Sequence, residues 1–151
     1  SLLNIIKNIN KEITLSIVGA EKNLSQTQKN IRLTHQNNVN IYDIESNKQK
    51  LIKFYDDHSI FILPSFTEGH PMALLEALAR KRPVIIFKEI KHVIGDKKGI
   101  FVSERDPKSL IETINYIKKN YKAISKQMDQ NKLPTNKDFI KEYENLISNL
   151  H

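Results

Sequence analysis

Cysteine and tryptophan are missing from this chain, and glycine and proline are scarce, at 4 and 5 residues among 151. Without cysteine there is no disulfide, no thiolate nucleophile and no thiolate ligand for zinc. That absence agrees with a cytoplasmic location. Long apolar runs are also missing: none approaches the ~18–20 residues needed to cross a bilayer, so no membrane-spanning helix is expected. The low glycine and proline content excludes collagen-like and low-complexity chains. What is present, 39% hydrophobic and 27% charged residues, is the balance of a globular domain rather than a disordered one. The length fits one domain with its own core, and there is no internal repeat and no second domain. The opening Ser1-Leu2-Leu3-Asn4 has no Met and no signal-peptide pattern, which leads us to expect a piece of a longer protein.

Acidic residues are outnumbered, 17 against 24 Lys and Arg, giving a net charge of +7 and a pI near 9.5. Such a balance raises the question of nucleic acid. The lysines, however, are scattered beside Asn, Ile and Asp, and the aromatic residues do not cluster with Arg as a base-stacking platform requires. No nucleic-acid partner is expected; the charge reads as solvated surface with mild attraction to anionic ligands or membrane.

Apolar spacing predicts alternating strands and helices. Residues 2–11 have helical periodicity. Residues 14–18 form a β-branched run closed by Gly19, and residues 39–44, 59–63, 83–87 and 99–103 read as further strands. Helices are predicted over 46–58, with Leu51, Ile52, Phe54 and Tyr55 inward, and over 71–82, with Pro71 at the first helical position. Another starts at Asp106-Pro107 with Asp106 as N-cap. Beyond Tyr121, residues 122–130 and 137–150 read as two closing amphipathic helices. The pattern is an α/β fold, a parallel sheet with helices on both faces. In such sheets ligands sit at the carboxyl ends of the strands.

The loop after the third strand carries the chemistry. Ser65-Phe66-Thr67-Glu68-Gly69-His70 leaves a buried strand and enters a helix at Pro71. The first turn of a helix has unpaired N–H groups and partial positive charge, an anion site. Glu68 stands just before it, and Gly69 is expected to let the backbone turn sharply and approach a ligand. Glu76 lies inside the helix among residues expected to pack. Two readings of it stay open: a carboxylate satisfied by vicinal hydroxyls, or an edge residue paired with Arg80 at the i+4 spacing. His35, His58, His92 and His151 show no metal-ligand spacing, so no metal is expected. His58 reads as a capping or surface residue, and Asp56-Asp57 as surface. No dinucleotide fingerprint or Walker loop occurs.

The string Phe61-Ile62-Leu63-Pro64-Ser65-Phe66-Thr67-Glu68-Gly69-His70-Pro71-Met72-Ala73-Leu74-Leu75-Glu76-Ala77-Leu78-Ala79, then Pro83-Val84-Ile85, resembles the hallmark of the group 1 glycosyltransferases, the retaining kind similar to family 4. The resemblance runs to about Tyr121. It implies a GT-B enzyme with two Rossmann-like domains, of which residues 1–151 would be the C-terminal, nucleotide-sugar-binding one; the N-terminal acceptor domain lies outside this chain. It implies that Glu76 holds the ribose and that Glu68 lies at the transferred sugar as the candidate catalytic acid. Gly69, His70, Pro71 and Met72 would meet the sugar or phosphates, Tyr42, Asp43 and Ile44 would line the base pocket, and Gly19 would end the first strand of the cleft. The implied partners are a UDP- or GDP-sugar, the N-terminal domain and a glycan, sugar or lipid acceptor, met at the inner face of the membrane. No cofactor or metal is implied, and the processes implied are polysaccharide or lipopolysaccharide synthesis.

This chain departs from the family pattern at several points. The Arg and Lys that clamp the diphosphate in relatives would fall before Ser1. Ala20-Glu21-Lys22 follows Gly19 where a second glycine is common, and His70 replaces Phe. Lys81 stands where relatives close the helix with glycine, which predicts a left-handed residue strained by roughly 1 kcal/mol. Lys88-Glu89-Ile90-Lys91-His92 replaces a Gly-Gly loop, leaving Lys88 or Lys91 as the charge near the phosphates. Two other readings stay open: a GT-B sugar-nucleotide epimerase, and a basic Rossmann-like module for nucleic acid or protein.

Overall fold

Every strand among the described residues runs parallel to its neighbours. A computed structural model describes residues 13–19, 38–135 and 137–138 of the chain. The elements in chain order are β1 (Leu15–Val18), β2 (Val39–Tyr42), α1 (Lys48–Asp57), β3 (Phe61–Leu63) and α2 (Met72–Ala79). They continue with β4 (Val84–Phe87), a 3-10 segment (Lys88–Val93), β5 (Ile100–Ser103) and α3 (Pro107–Met128). The alternation is the one the apolar spacing predicts. The helix expected over 2–11, the polar stretch 21–37 and nearly all of the last helix lie outside the described residues.

Hydrogen bonding divides the strands into two parallel ladders, β1-β2 and β3-β4-β5. In the first, Leu15 faces Val39 and Val18 faces Tyr42. In the second, Phe61 faces Val84 and Val84 faces Ile100. β4 is the central strand, and its four residues Val84, Ile85, Ile86 and Phe87 are all fully buried. A continuous apolar run suits a strand covered on both faces. β2 alternates instead, with Val39 and Ile41 half-buried and Asn40 and Tyr42 exposed. His58 ties the end of α1 to β1. The Phe54 carbonyl can only accept, so His58 Nδ1–H donates to it at 2.8 Å, and in the neutral ring Nε2 accepts from Ser16 Oγ at 2.7 Å. The same residue caps the end of α1, as expected for it.

Helix ends follow local chemistry. Asn47 Oδ1 accepts from the N–H groups of Gln49 and Lys50, so α1 begins after it. Asp106 Oδ1 accepts from Ser109 N–H, the expected cap of α3. Pro71 is displaced from its expected place. Its ψ of 89° is not helical, so it sits at the N-cap position and α2 begins at Met72. Its carbonyl accepts from Leu74 and Leu75 N–H. The expectation of a separate helix over 122–130 is also corrected: residues 122–128 continue α3. Ile117, Ile124 and Met128 prolong the buried stripe begun by Leu110 and Ile114, and no Gly or Pro interrupts it.

Lys81 is the one described non-glycine residue with positive φ, at 56°. Arg82 N–H donates to the Ala77 carbonyl and Lys81 N–H to that of Leu78, both at 2.9 Å. This is a Schellman closure with lysine in the place that favours glycine. Lys81 Nζ contacts Asp129, but both side chains are more than half exposed and such pairs contribute little. Gly99 meets a different need: φ is +86° and an added Cβ would come within 2.5 Å of Met128 Sδ. Replacing Lys81 with glycine should therefore raise the unfolding free energy by roughly 0.5–1 kcal/mol, the left-handed strain less the exposed ion pair. Chemical denaturation of Lys81→Gly beside the wild type checks this, and an unchanged or lower stability would contradict it.

Candidate functional site

Parallel strands send all their carboxyl ends to one edge of their sheet. From β1 comes Gly19, with φ at +84° and its N–H on the Asp43 carbonyl at 3.3 Å. Among the described residues no atom lies within 4 Å of a Cβ built on Gly19, and its positive φ is what favours glycine there. From β2 come Tyr42, Asp43 and Ile44, all exposed, Ile44 by 68%. The Tyr42 ring packs edge-on against Phe54, centroids 4.7 Å apart.

From β3 comes the loop to α2. Glu68 is half-buried; its Oε1 accepts from Ser65 Oγ at 2.6 Å and its backbone carbonyl accepts from His92 Nε2–H at 2.9 Å. Gly69 is exposed and the chain bends at Gly69 and His70, as expected, although the Gly69 φ lies outside the left-handed region. His70 and Met72 are exposed and Pro71 is half-buried. The first N–H groups of α2 have no side-chain cap.

Glu76 lies at the exposed edge of α2 without the Arg80 pairing, rather than packed among its apolar neighbours. Arg80 instead forks onto Asp56, Nε to Oδ1 at 2.9 Å and a terminal nitrogen to Oδ2, with Arg82 3.5 Å from the same carboxylate. A planar two-point contact outcompetes a single i+4 pairing. Asp57 pairs with Lys53, so both aspartates act in surface ion pairs. Glu76 Oε2 accepts from the Tyr55 hydroxyl at 2.9 Å, and the Ala73 carbonyl is more distant at 3.4 Å. Burial, then the hydrogen bond to the Glu76 carboxylate and its charge, push the Tyr55 phenol well above its ordinary value. Adjacent residues of α1 thus serve two parts of the site: Phe54 backs Tyr42, and Tyr55 orients Glu76.

The remaining edge comes from the 3-10 segment and the residues after β5. Lys88 Nζ reaches Glu104 Oε1 at 2.8 Å, so one of the two lysines expected to supply charge is already paired. Arg105 had no signal in the sequence. Its terminal nitrogens donate to the carbonyls of Pro64 at 3.1 Å and Ser65 at 3.0 Å, and its Nε donates to Glu89 Oε1 at 3.0 Å. Its guanidinium lies 3.9 Å from the Phe66 ring centroid and 4.1 Å from that of Phe87. The hydrogen bond from Arg105 holds the Glu89 carboxyl below its usual range. Among the described residues no group of three His, Cys, Asp or Glu is placed to hold a metal, and no helix is long and apolar enough to cross a membrane.

Residues 1–133 match the family described as glycosyl transferases group 1. The chain belongs to this family. Among curated proteins, a glycosyltransferase of Haemophilus influenzae (strain ATCC 51907 / DSM 11121 / KW20 / Rd) described as uncharacterized is 26% identical over 84 residues, 53% of this chain and 24% of that protein. Among solved structures, Anabaena Alr3699/HepE in complex with UDP-glucose superposes with a TM-score of 0.66 at 14% identity, over 84% of this chain and 37% of that one. The matches therefore span about a quarter and about a third of the relatives' own lengths. The fold of this group 1 chain is the Rossmann-like α/β arrangement of a GT-B glycosyltransferase domain.

The Tyr55–Glu76 contact has a pH signature. A phenol whose folded value is raised above its unfolded value near 10 contributes stability that is complete below pH 10 and lost as pH rises towards the folded value. Tyr55→Phe should cost about 0.5–1.5 kcal/mol at pH 7, the worth of one hydrogen bond, and its deficit should shrink above pH 10. Denaturation midpoints of both proteins from pH 7 to 11 test this; a constant difference across that range contradicts it.

Proposed function

We propose that this chain is the donor-binding domain of a nucleotide-sugar glycosyltransferase. The observation that carries the reading is Glu76: a carboxylate in the second turn of α2, exposed, oriented by Tyr55 and passed over by Arg80. A fixed, accessible carboxylate is suited to accept from two vicinal hydroxyls, as a ribose presents. In this reading Tyr42, Asp43 and Ile44 line the base pocket, and Gly19 keeps the adjoining strand end low. The uncapped N–H groups at the start of α2 take the diphosphate together with basic side chains, so the departing nucleoside diphosphate is stabilised electrostatically and no metal is required. Gly69, His70, Pro71 and Met72 meet the sugar or phosphates, and Glu68, at the helix entrance, meets the transferred sugar as the candidate catalytic acid. The solved relative with UDP-glucose supports a nucleotide sugar as the ligand of this fold.

The finer reading is transfer of a hexose, from a UDP- or GDP-sugar, to a glycan, sugar or lipid acceptor with retention at the anomeric carbon. The acceptor is bound by a second, N-terminal Rossmann-like domain. The setting is polysaccharide or lipopolysaccharide synthesis in the cytoplasm, at the inner face of the membrane. Alone, the chain should bind nucleotide weakly and turn over little, since half of such a cleft is the other domain's; steady sugar transfer by residues 1–151 alone would refute this part.

Calorimetric titration of UDP, GDP and their sugars into wild type and Glu76→Ala tests the ribose role. Loss of charge-assisted hydrogen bonds should weaken every nucleotide by about 10- to 100-fold. Glu68→Gln should weaken the nucleotide sugar while leaving the bare nucleoside diphosphate near wild type. Equal affinities of wild type and Glu76→Ala would sink the assignment.

A further inference from the structure

Glu68 lies in a loop with no regular structure of its own, yet both its side chain and its backbone are held. The contacts that hold it close into a ring. Arg105 donates to the Ser65 carbonyl, the Ser65 hydroxyl donates to the Glu68 carboxylate, and the Glu68 carbonyl accepts from His92. His92 belongs to the 3-10 segment that also carries Glu89, and Glu89 accepts from Arg105. The same guanidinium grips the Pro64 carbonyl and lies against Phe66 and Phe87, so its edges and its faces are used together. Phe87 ends the fully buried β4, which gives the ring a rigid base. Arg105 is itself only 16% exposed, so it is a strut behind the loop rather than a group offered to a ligand.

We propose that Arg105 is a positioning residue that sets the place of Glu68 at the sugar end of the donor site; this rests on the donor-domain reading above. Only arginine combines a planar face for two rings with a fork for two successive carbonyls. A lysine at the same position keeps the charge and loses the geometry. The sugar end of the site should then loosen while the Glu76 end, held by Tyr55 on another element, stays as it is.

The experiment compares wild type, Arg105→Lys and Glu89→Gln, the last weakening the ring by removing a charge at an exposed point where folding is not at risk. Backbone 15N relaxation should show order parameters for residues 66–70 falling from near ~0.85 towards ~0.6 in Arg105→Lys, and by less in Glu89→Gln. Affinity for the nucleotide sugar preferred by the wild type should fall about 10-fold in Arg105→Lys, as misplacement of a site group does, with the bare diphosphate changed less than about 2-fold. A drop shared equally by both ligands, or a rigid loop in both variants, overturns the proposal. A more mobile loop with an unchanged ratio of the two affinities overturns it as well. Should wild type bind no nucleotide, the donor reading falls and the sugar-side role with it, while the order parameters still decide whether Arg105 fixes the loop.

Discussion

Burial of β4 is the constraint on which the rest of the site depends. Val84, Ile85, Ile86 and Phe87 lie dry between β3 and β5, and their side chains leave no solvent-facing register for the strand to slip into. Because all three strands are parallel, fixing β4 fixes where β3 and β5 end. The loop after Leu63 and the turn after Ser103 then emerge at the same edge, about 40 residues apart in sequence. Arg105 can bridge to Pro64 and Ser65 only because of that shared edge.

The segment Lys88–Val93 contains no glycine and is fixed by its side chains. Ile90 is fully buried beneath the segment, Glu89 and His92 tie it to Arg105 and to the Glu68 carbonyl, and Lys88 pairs with Glu104. Side chains, not a bare backbone, define that wall. The net positive charge does not gather there either: Lys88 and Arg105 each have an acidic partner, and Arg80 and Arg82 share Asp56.

Much of the fold was legible because its causes are local. Alternating apolar periodicity located the strands and helices; Asp106 announced its cap; and Lys81, standing where the family has glycine, was correctly expected in the left-handed region. The errors also have local causes. Pro71 fixes φ but leaves ψ free, so its ring did not decide between the cap and the first turn. Tyr121 and Lys122 contain nothing that stops a helix, and α3 runs through them. What could not be read are contacts that bridge distant residues. The i+4 rule offers Arg80 to Glu76, yet Asp56, 24 positions away, presents the better two-point acceptor. Tyr55 on Glu76 and Arg105 on Ser65 lie 21 and 40 positions apart, and no spacing rule reaches so far. The family string singled out Glu68 and Glu76 as candidates, and the residues that hold them came only from the fold.

Unequal burial gives the two ladders unequal tenure. β1 and β2 contain no fully buried residue, whereas β4 contains nothing else. A ladder of half-buried strands can part by a local opening that leaves the core standing, and His58 with Ser16 is one of the latches that such an opening breaks. Amide exchange would then proceed in two tiers, early at Leu15–Val18 and Val39–Tyr42 and only with whole-domain unfolding at Val84–Phe87. The Tyr42 end of the candidate site would then lie on the fast tier.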